Sequence, residues 1–204
     1  PTLTNTQVPG PGSALGGPAV ANSVFAMARF ANTIYVGGAM DKVGPRTGHG
    51  VPIDVVTGVV LPNFPTFSGP VKAVIIDGQG GWYVAGRFQY VEGVTHVGVV
   101  HILPNLAVDP AFDAGLDLTA GNSVNALWLE GNTLYLGGQF NSLNHGTALR
   151  NFLAAVNATT GSVLSFNSGT GPDWVVDAVV KFGSTVYFGG EFANVNATSR
   201  AALA

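Results

Sequence analysis

The sequence predicts an all-β chain, a β-propeller built from about four units of about fifty residues, each a four-stranded blade. Two observations carry that expectation. One pattern recurs four times: Val-x-Ala, a short polar turn, then Thr-x-Tyr-x-Gly-Gly-x-Phe and an aliphatic residue three positions on, starting at Val24, Val71, Val124 and Val176. Inside each copy the apolar side chains alternate, as in Thr133-Leu134-Tyr135-Leu136, and no segment keeps a helical period. Repetition at a fixed period outranks any local motif, because it decides the architecture before single residues are weighed.

Each copy opens with a hairpin. Val124-Asn125-Ala126-Leu127-Trp128-Leu129 is rich in branched and aromatic side chains, and Glu130-Gly131-Asn132-Thr133 then supplies residues that tolerate positive φ in a tight turn. Phe182-Gly183-Ser184-Thr185 and Phe30-Ala31-Asn32-Thr33 match it, while Asp77-Gly78-Gln79-Gly80-Gly81 is one residue longer. A second hairpin is expected from Val51 to Leu61 and from Leu153 to Leu164, each with Asp or Asn four residues before a glycine; the second copy substitutes Pro104-Asn105. The expected organisation is a Pro- and Gly-rich segment over 1–22, with a possible outer strand around Leu3 to Val8. Repeats then run over 23–70, 71–123 and 124–174, with a partial repeat over 175–204. Start and end have complementary phase, as in a ring whose first and last segments share a blade. Six to eight blades are more usual for such repeats, so a ring completed by more chain or by another copy is expected.

The recurring residues read as structural. The Gly-Gly step falls at Gly37-Gly38, Ala85-Gly86, Gly137-Gly138 and Gly189-Gly190, where residues with little or no side chain let crowded backbones approach. A phosphate-cradling loop would need a helix to follow, and none is predicted. Tyr35, Tyr83, Tyr135 and Tyr187 share one phase, and so do Met40, Phe88, Phe140 and Phe192, and Val43, Val91, Leu143 and Val195. All four tyrosines are expected to be buried between neighbouring blades.

Composition bounds the function. Of 204 residues, 47% are hydrophobic and only 9% charged, net charge is −3, and the 8 Lys and Arg are scattered, which disfavours a nucleic-acid partner. No apolar run approaches the roughly 18 residues of a membrane span. Cysteine is absent, which removes disulfides, thiolate metal sites and a cysteine nucleophile. Few charges with many Thr, Asn, Ser and Gly suit a secreted or surface-exposed bacterial protein. Pro1 at the start, with no initiator methionine or signal peptide, implies processing or a longer polypeptide.

The phrase from Val124 to Phe140, Val-x-Ala-Leu-x-x-x-Gly-Asn-Thr-Leu-Tyr-x-Gly-Gly-x-Phe, resembles the delta-sixty type of β-propeller repeat. So does Leu153-Ala-Ala-Val-Asn-Ala-Thr-Thr-Gly-Ser-Val163. That family occurs in large secreted or surface-anchored bacterial proteins, and fungal cortical marker ectodomains carry similar repeats. The resemblance spans the chain after about Asn22, with departures at Met40, Pro52, Ala85 and Pro104-Asn105. It implies a propeller outside the cell and brings no shared catalytic set.

Candidate chemistry is sparse. Asp109, Asp113 and Asp117 form the densest acidic stretch, and Asp113 and Asp117 are weak candidates for calcium, without the Asp-x-Asp-x-Asp-Gly spacing of dedicated loops. His49, His96, His101 and His145 follow the second glycine by 11, 10, 15 and 7 residues, offsets too uneven for a ring of ligands. Asn157-Ala158-Thr159 and Asn196-Ala197-Thr198 are glycosylation triplets if the source is a eukaryotic secretory cell. No cofactor is expected. The favoured function is a non-catalytic extracellular scaffold or adhesion module, its partners further blades and a carbohydrate or protein ligand. The alternatives are a propeller lyase, glycosidase or quinoprotein-like enzyme with an axial site, and a subunit of a surface filament or layer. Convergence of the acids and histidines on one axial mouth would favour the enzyme; scatter would count against it.

Overall fold

The computed structural model describes residues 23–39, 48–117, 122–200 and 202–204. The expected outer strand at Leu3 to Val8 and the phases of Met40 and Val43 lie outside these residues. Among the described residues, regular structure is all strand. The first unit holds β1 (Val24–Phe30), β2 (Thr33–Gly38) and β3 (Gly50–Asp54). The second holds β4 (Val71–Ile76), β5 (Trp82–Gly86), β6 (Tyr90–Val91), β7 (Val94–Thr95) and β8 (Val99–Ile102). The third holds β9 (Ser123–Glu130), β10 (Thr133–Gln139), β11 (Ser142–Leu143), β12 (Ala148–Leu149) and β13 (Leu153–Asn157). The fourth holds β14 (Val176–Phe182), β15 (Thr185–Gly190), β16 (Asn194–Val195) and β17 (Thr198–Ser199).

Each unit is an antiparallel meander, in the orders β1-β2-β3, β4-β5-β8 and β9-β10-β13, with β14-β15 in the fourth. The expected fourth strand is contracted to one bridge per unit: Ile53 to Val60, Ile102 to Val108 and Val156 to Val163. In the fourth unit the third strand is itself a single bridge, Gly189 to Leu203. The turns behave as their sequences dictate. Asp54 and Asn157 each accept two backbone N–H groups two and three residues on, and their carbonyls accept from Gly58 and Gly161. The sequence pattern did not anticipate the short hairpins β6-β7, β11-β12 and β16-β17. They are two-residue strands, too short to show alternation. Two of them close through Glu92-Gly93 and Asn196-Ala197, with positive φ at both central residues.

Val-x-Ala and Gly-Gly prove to be the two sides of one bulge. Val124 pairs with Gly138 and Ala126 with Gly137, so one extra residue of β9 bulges opposite the glycine step, and the same shift recurs at Val24/Ala26, Val71/Ala73 and Val176/Ala178. A Cβ on the second glycine would collide with the carbonyl oxygen just before the leading valine: Pro70 for Gly86, Ser123 for Gly138, Val175 for Gly190. The first glycine faces outward instead. A Cβ on Gly37 would collide with Val71, and one on Gly137 would lie 2.6 Å from Val176 Cγ1, in each case the leading valine of the next unit.

The units stack in a row, β1 beside β4, β4 beside β9 and β9 beside β14, and the hydrophobic cores lie between them. Tyr35 joins Val71, Val74 and Trp82 in the first; Tyr83 and Ala85 join Val124 and Leu127 in the second; Tyr135 joins Val176, Val179 and Phe188 in the third. Three of the four tyrosines are therefore buried as expected, at 3%, 4% and 8% exposure. Tyr187 departs from that expectation at 44%, because no described unit packs against its side of the fourth unit. Phe88, Phe140 and Phe192 are all buried.

Two measurements check this packing. Tyr135→Ala should lower unfolding free energy by about 3–5 kcal/mol in denaturant titration, the range for truncating a large buried aromatic. Gly138→Ala should cost about 1–3 kcal/mol, because the obstacle is backbone. Gly189→Ala should cost less than Gly138→Ala, since its nearest neighbour, the Ala202 carbonyl, would be 3.1 Å away rather than 2.2 Å.

Candidate functional site

The three acids of the stretch from Asp109 to Asp117 go separate ways. Asp109 turns toward His101, with Oδ1 accepting the Ala111 N–H at 2.9 Å. Asp113 accepts the Gly115 N–H at 2.7 Å, and its other oxygen lies 3.4 Å from the exposed imidazole of His145. Asp117 accepts from the Asn122 amide at 2.6 Å and the Ser142 hydroxyl at 3.3 Å. The calcium candidates Asp113 and Asp117 thus face hydrogen-bond donors. Among the described residues no three His, Asp or Glu side chains gather with the geometry to hold a metal ion.

The histidines scatter too. His145 is exposed, and Nδ1 of His49 is buried without a hydrogen-bond partner among the described residues. Burial pushes the His96 imidazole below its ordinary value, against the opposing pull of the Asp113 charge. The sequon residues are engaged in turns: Asn157 accepts the N–H groups of Thr159 and Thr160, and Asn196 accepts the Gly171 N–H at 3.0 Å.

His101 is the exception, and spacing alone did not reveal it. It is buried on β8, paired across the sheet with Tyr83, and its ring stacks on the tyrosine ring at 4.4 Å and 17°. Its Nδ1 lies 2.8 Å from Asp109 Oδ2 and its Nε2 3.1 Å from Asp77 Oδ2. Carboxylates only accept, so both contacts are hydrogen bonds when both ring nitrogens carry hydrogen. Asp77 directly follows the first strand of its unit, and Asp109 follows the bridge residue Val108, so the two turns at one end of this sheet clamp the ring. A sequence signal did exist: antiparallel register places His101 opposite Tyr83, beside the turn that Asp77 opens.

Beside this trio lies a cleft of about 260 Å³ between the second and third units, lined by Gln79, Tyr83, His101, Leu129, Asn132 and Thr159. The Tyr83 hydroxyl donates to the Ala158 carbonyl at 2.7 Å across the cleft floor. Burial pushes its pKa up to about 12, with the charges of Asp77 and Asp109 adding. Burial also pushes the Asp77 carboxyl up, yet hydrogen bonds from the Gln79 N–H, His101 and the Gly81 N–H outweigh it and hold the group below its ordinary 3.8. The arrangement can hold charge and donate hydrogen bonds at the cleft rim. It presents no nucleophile paired with a base.

No protein-family model matches this sequence, and no curated protein shows significant similarity to it. Solved structures do. The computationally designed Ika4 protein superposes with a TM-score of 0.59 at 14% identity, covering 85% of this chain and 88% of its own. The computationally designed Ika8 protein gives 0.58 at 14%, covering 89% of this chain and 44% of its own. The Pan2 WD40 domain of Neurospora crassa gives 0.49 at 16%, covering 82% and 47%. The chain thus spans about half the length of the latter two. Repeated sheets packed face to face, together with the likeness to the two designed propellers, define the class: an all-β repeat protein of the β-propeller type.

The Asp77 carboxyl gives a pH prediction. Its folded value lies below its unfolded value, so its contribution is complete above about pH 4 and is lost as pH falls through the folded value. Urea titrations from pH 7 down to pH 2 should show this acid loss, and Asp77→Asn should reduce it while costing about 1.5–3 kcal/mol at pH 7.

Proposed function

We propose that the chain is a non-catalytic propeller module of the delta-sixty kind, with four blades over 23–70, 71–123, 124–174 and 175–204. In this reading it works outside the cell, at a bacterial surface, as a scaffold carrying an adhesion or ligand-binding face. One observation supports it most: the polar side chains are spent on holding the fold. Ser68 accepts the N–H groups of Gln89 and Tyr90, and Asp173, at the same phase three residues before the leading valine, accepts those of Ala193 and Asn194. Asp54 and Asp173 are both held below the ordinary carboxylate value by such donors, Thr57 and Asn194 foremost. Asp77 and Asp109 secure His101. What varies between repeats is loop chemistry, the usual seat of recognition on a rigid scaffold.

The ligand class this chemistry suits is a polar polymer, a carbohydrate or a protein segment. A groove of about 560 Å³ between the third and fourth units is lined by Phe166, Ser168, Lys181 and Ser184, an aromatic with hydroxyl groups and an ammonium that also pairs with Glu130. The surface-filament reading also has support, in the apolar side chains exposed at both ends of the row, Val24, Met27 and Tyr187.

A panel of bacterial and host polysaccharides and extracellular proteins, presented to the immobilised chain, tests the reading. Saturable binding to at least one member, with no bond cleavage in the same samples, is expected, and Lys181→Ala with Ser184→Ala should weaken it at least tenfold. Turnover of a polysaccharide that disappears in His101→Ala would make the enzyme reading correct instead.

A further inference from the structure

The two ends of the row are halves of an interface that the chain already builds three times. Every unit has a leading face, formed by the first valine and the residue three after it. Every unit also has a trailing face, formed by the residues two and four after that valine, the tyrosine and the first residue of the glycine step, which is Ala85 in the second unit. Val71 and Val74, Val124 and Leu127, and Val176 and Val179 are the covered leading pairs. The residues three after the valine are 8%, 7% and 9% exposed in these units, and the equivalent Met27 of the first unit is 58%. Val24, matching three fully buried valines, is exposed as well. At the opposite end Ala178, Val180 and Tyr187 are exposed where Ala126 and Tyr135 are buried. Gly189 has no valine before it, although Gly37 and Gly137 each hold one.

We infer that the trailing face of the fourth unit, Ala178, Val180, Tyr187 and Gly189, docks on the leading face of the first unit, Val24 and Met27, of a second copy of this chain. The occupant follows from the interface itself. Only a leading face of this kind brings a branched side chain to a Cβ-free position beside a tyrosine, and the chain carries one uncovered leading face among its described units. That face sits at the far end of a row that, among the described residues, does not bring its two ends into contact, and a second copy presents the same face with the same residues. The contact is heterologous: two copies that meet twice make a closed ring, and copies that meet once each continue as an open assembly. This inference does not depend on which ligand the module binds.

The absence of cysteine allows a direct test. A Cβ at Gly137 would lie 3.4 Å from the Val176 Cβ, close to the roughly 3.5–4.5 Å that a disulfide spans. Val24→Cys and Gly189→Cys, each purified reduced, are mixed and oxidised. The expected product is a covalent heterodimer of about twice the 20.8 kDa chain mass, with little product from either variant alone. Light scattering on the unaltered chain, which needs no variant to fold, should report two or more copies at tens of micromolar. Tyr187→Arg and Met27→Arg should each abolish closed assemblies, and their mixture should restore a pair through the one remaining intact contact. A monomer throughout the concentration range would overturn the inference. So would a Val24→Cys, Gly189→Cys double variant that cross-links within a single chain, or a dominant homodimer of one single variant.

Discussion

The whole architecture hangs on one local event, the bulge in which Val-x-Ala faces Gly-Gly. The extra residue draws the carbonyl before the valine in over the partner strand, which is why the second glycine admits no side chain. It also sets the valine at the front of the unit and the first glycine at its back, so that each unit offers a knob to the unit before it and a hollow to the unit after. Hairpins alone would give independent two-layer scraps with little to bury. The bulge turns them into pieces that fit one another, and the aromatic rings then fill the space the bulge has defined.

Most of this was legible because it repeats. The phase of Tyr35, Tyr83 and Tyr135 identified the packing face without knowledge of any neighbour, and the turn chemistry of Asp54 and Asn157 needed only local hydrogen bonding. The glycine step was legible as a place of close approach, but its division of labour was not. Which glycine answers to its own sheet and which to the next depends on a register shift that a strict two-residue period conceals. Tyr187 marks another limit. A sequence phase reports the role a position plays in a repeating unit, whereas burial depends on whether a neighbour is there to play the complementary part. The outer strands are another such case: pattern persists across Val59-Val60-Leu61 and Val163-Leu164, yet each pairs through a single bridge.

The His101 site was not read from the repeat pattern for the opposite reason, since it occurs once. Asp77 and Asp109 are 32 positions apart in the chain and belong to different turns, and they meet because both turns fall at the same end of one sheet. In the first and third units Pro52 and Ala155 stand opposite the tyrosine where the second has His101. Where the other units have a small apolar neighbour, the second has a hydrogen-bonded clamp that ties its two turns together through His101, while Tyr83 reaches across to the Ala158 carbonyl. Repetition supplies the scaffold, and departures from it are where individual character enters.

Cores that lie between units rather than inside them have a further consequence for how such a chain comes by its length. No unit holds a complete hydrophobic interior of its own, so each is stable only in company, and free energy accrues per junction rather than per unit. A duplication or deletion of one whole unit in the middle of the row would leave every remaining junction matched, front to back. The number of units is therefore a quantity evolution can adjust in whole steps, while an insertion of half a unit would leave two mismatched surfaces and no core at all.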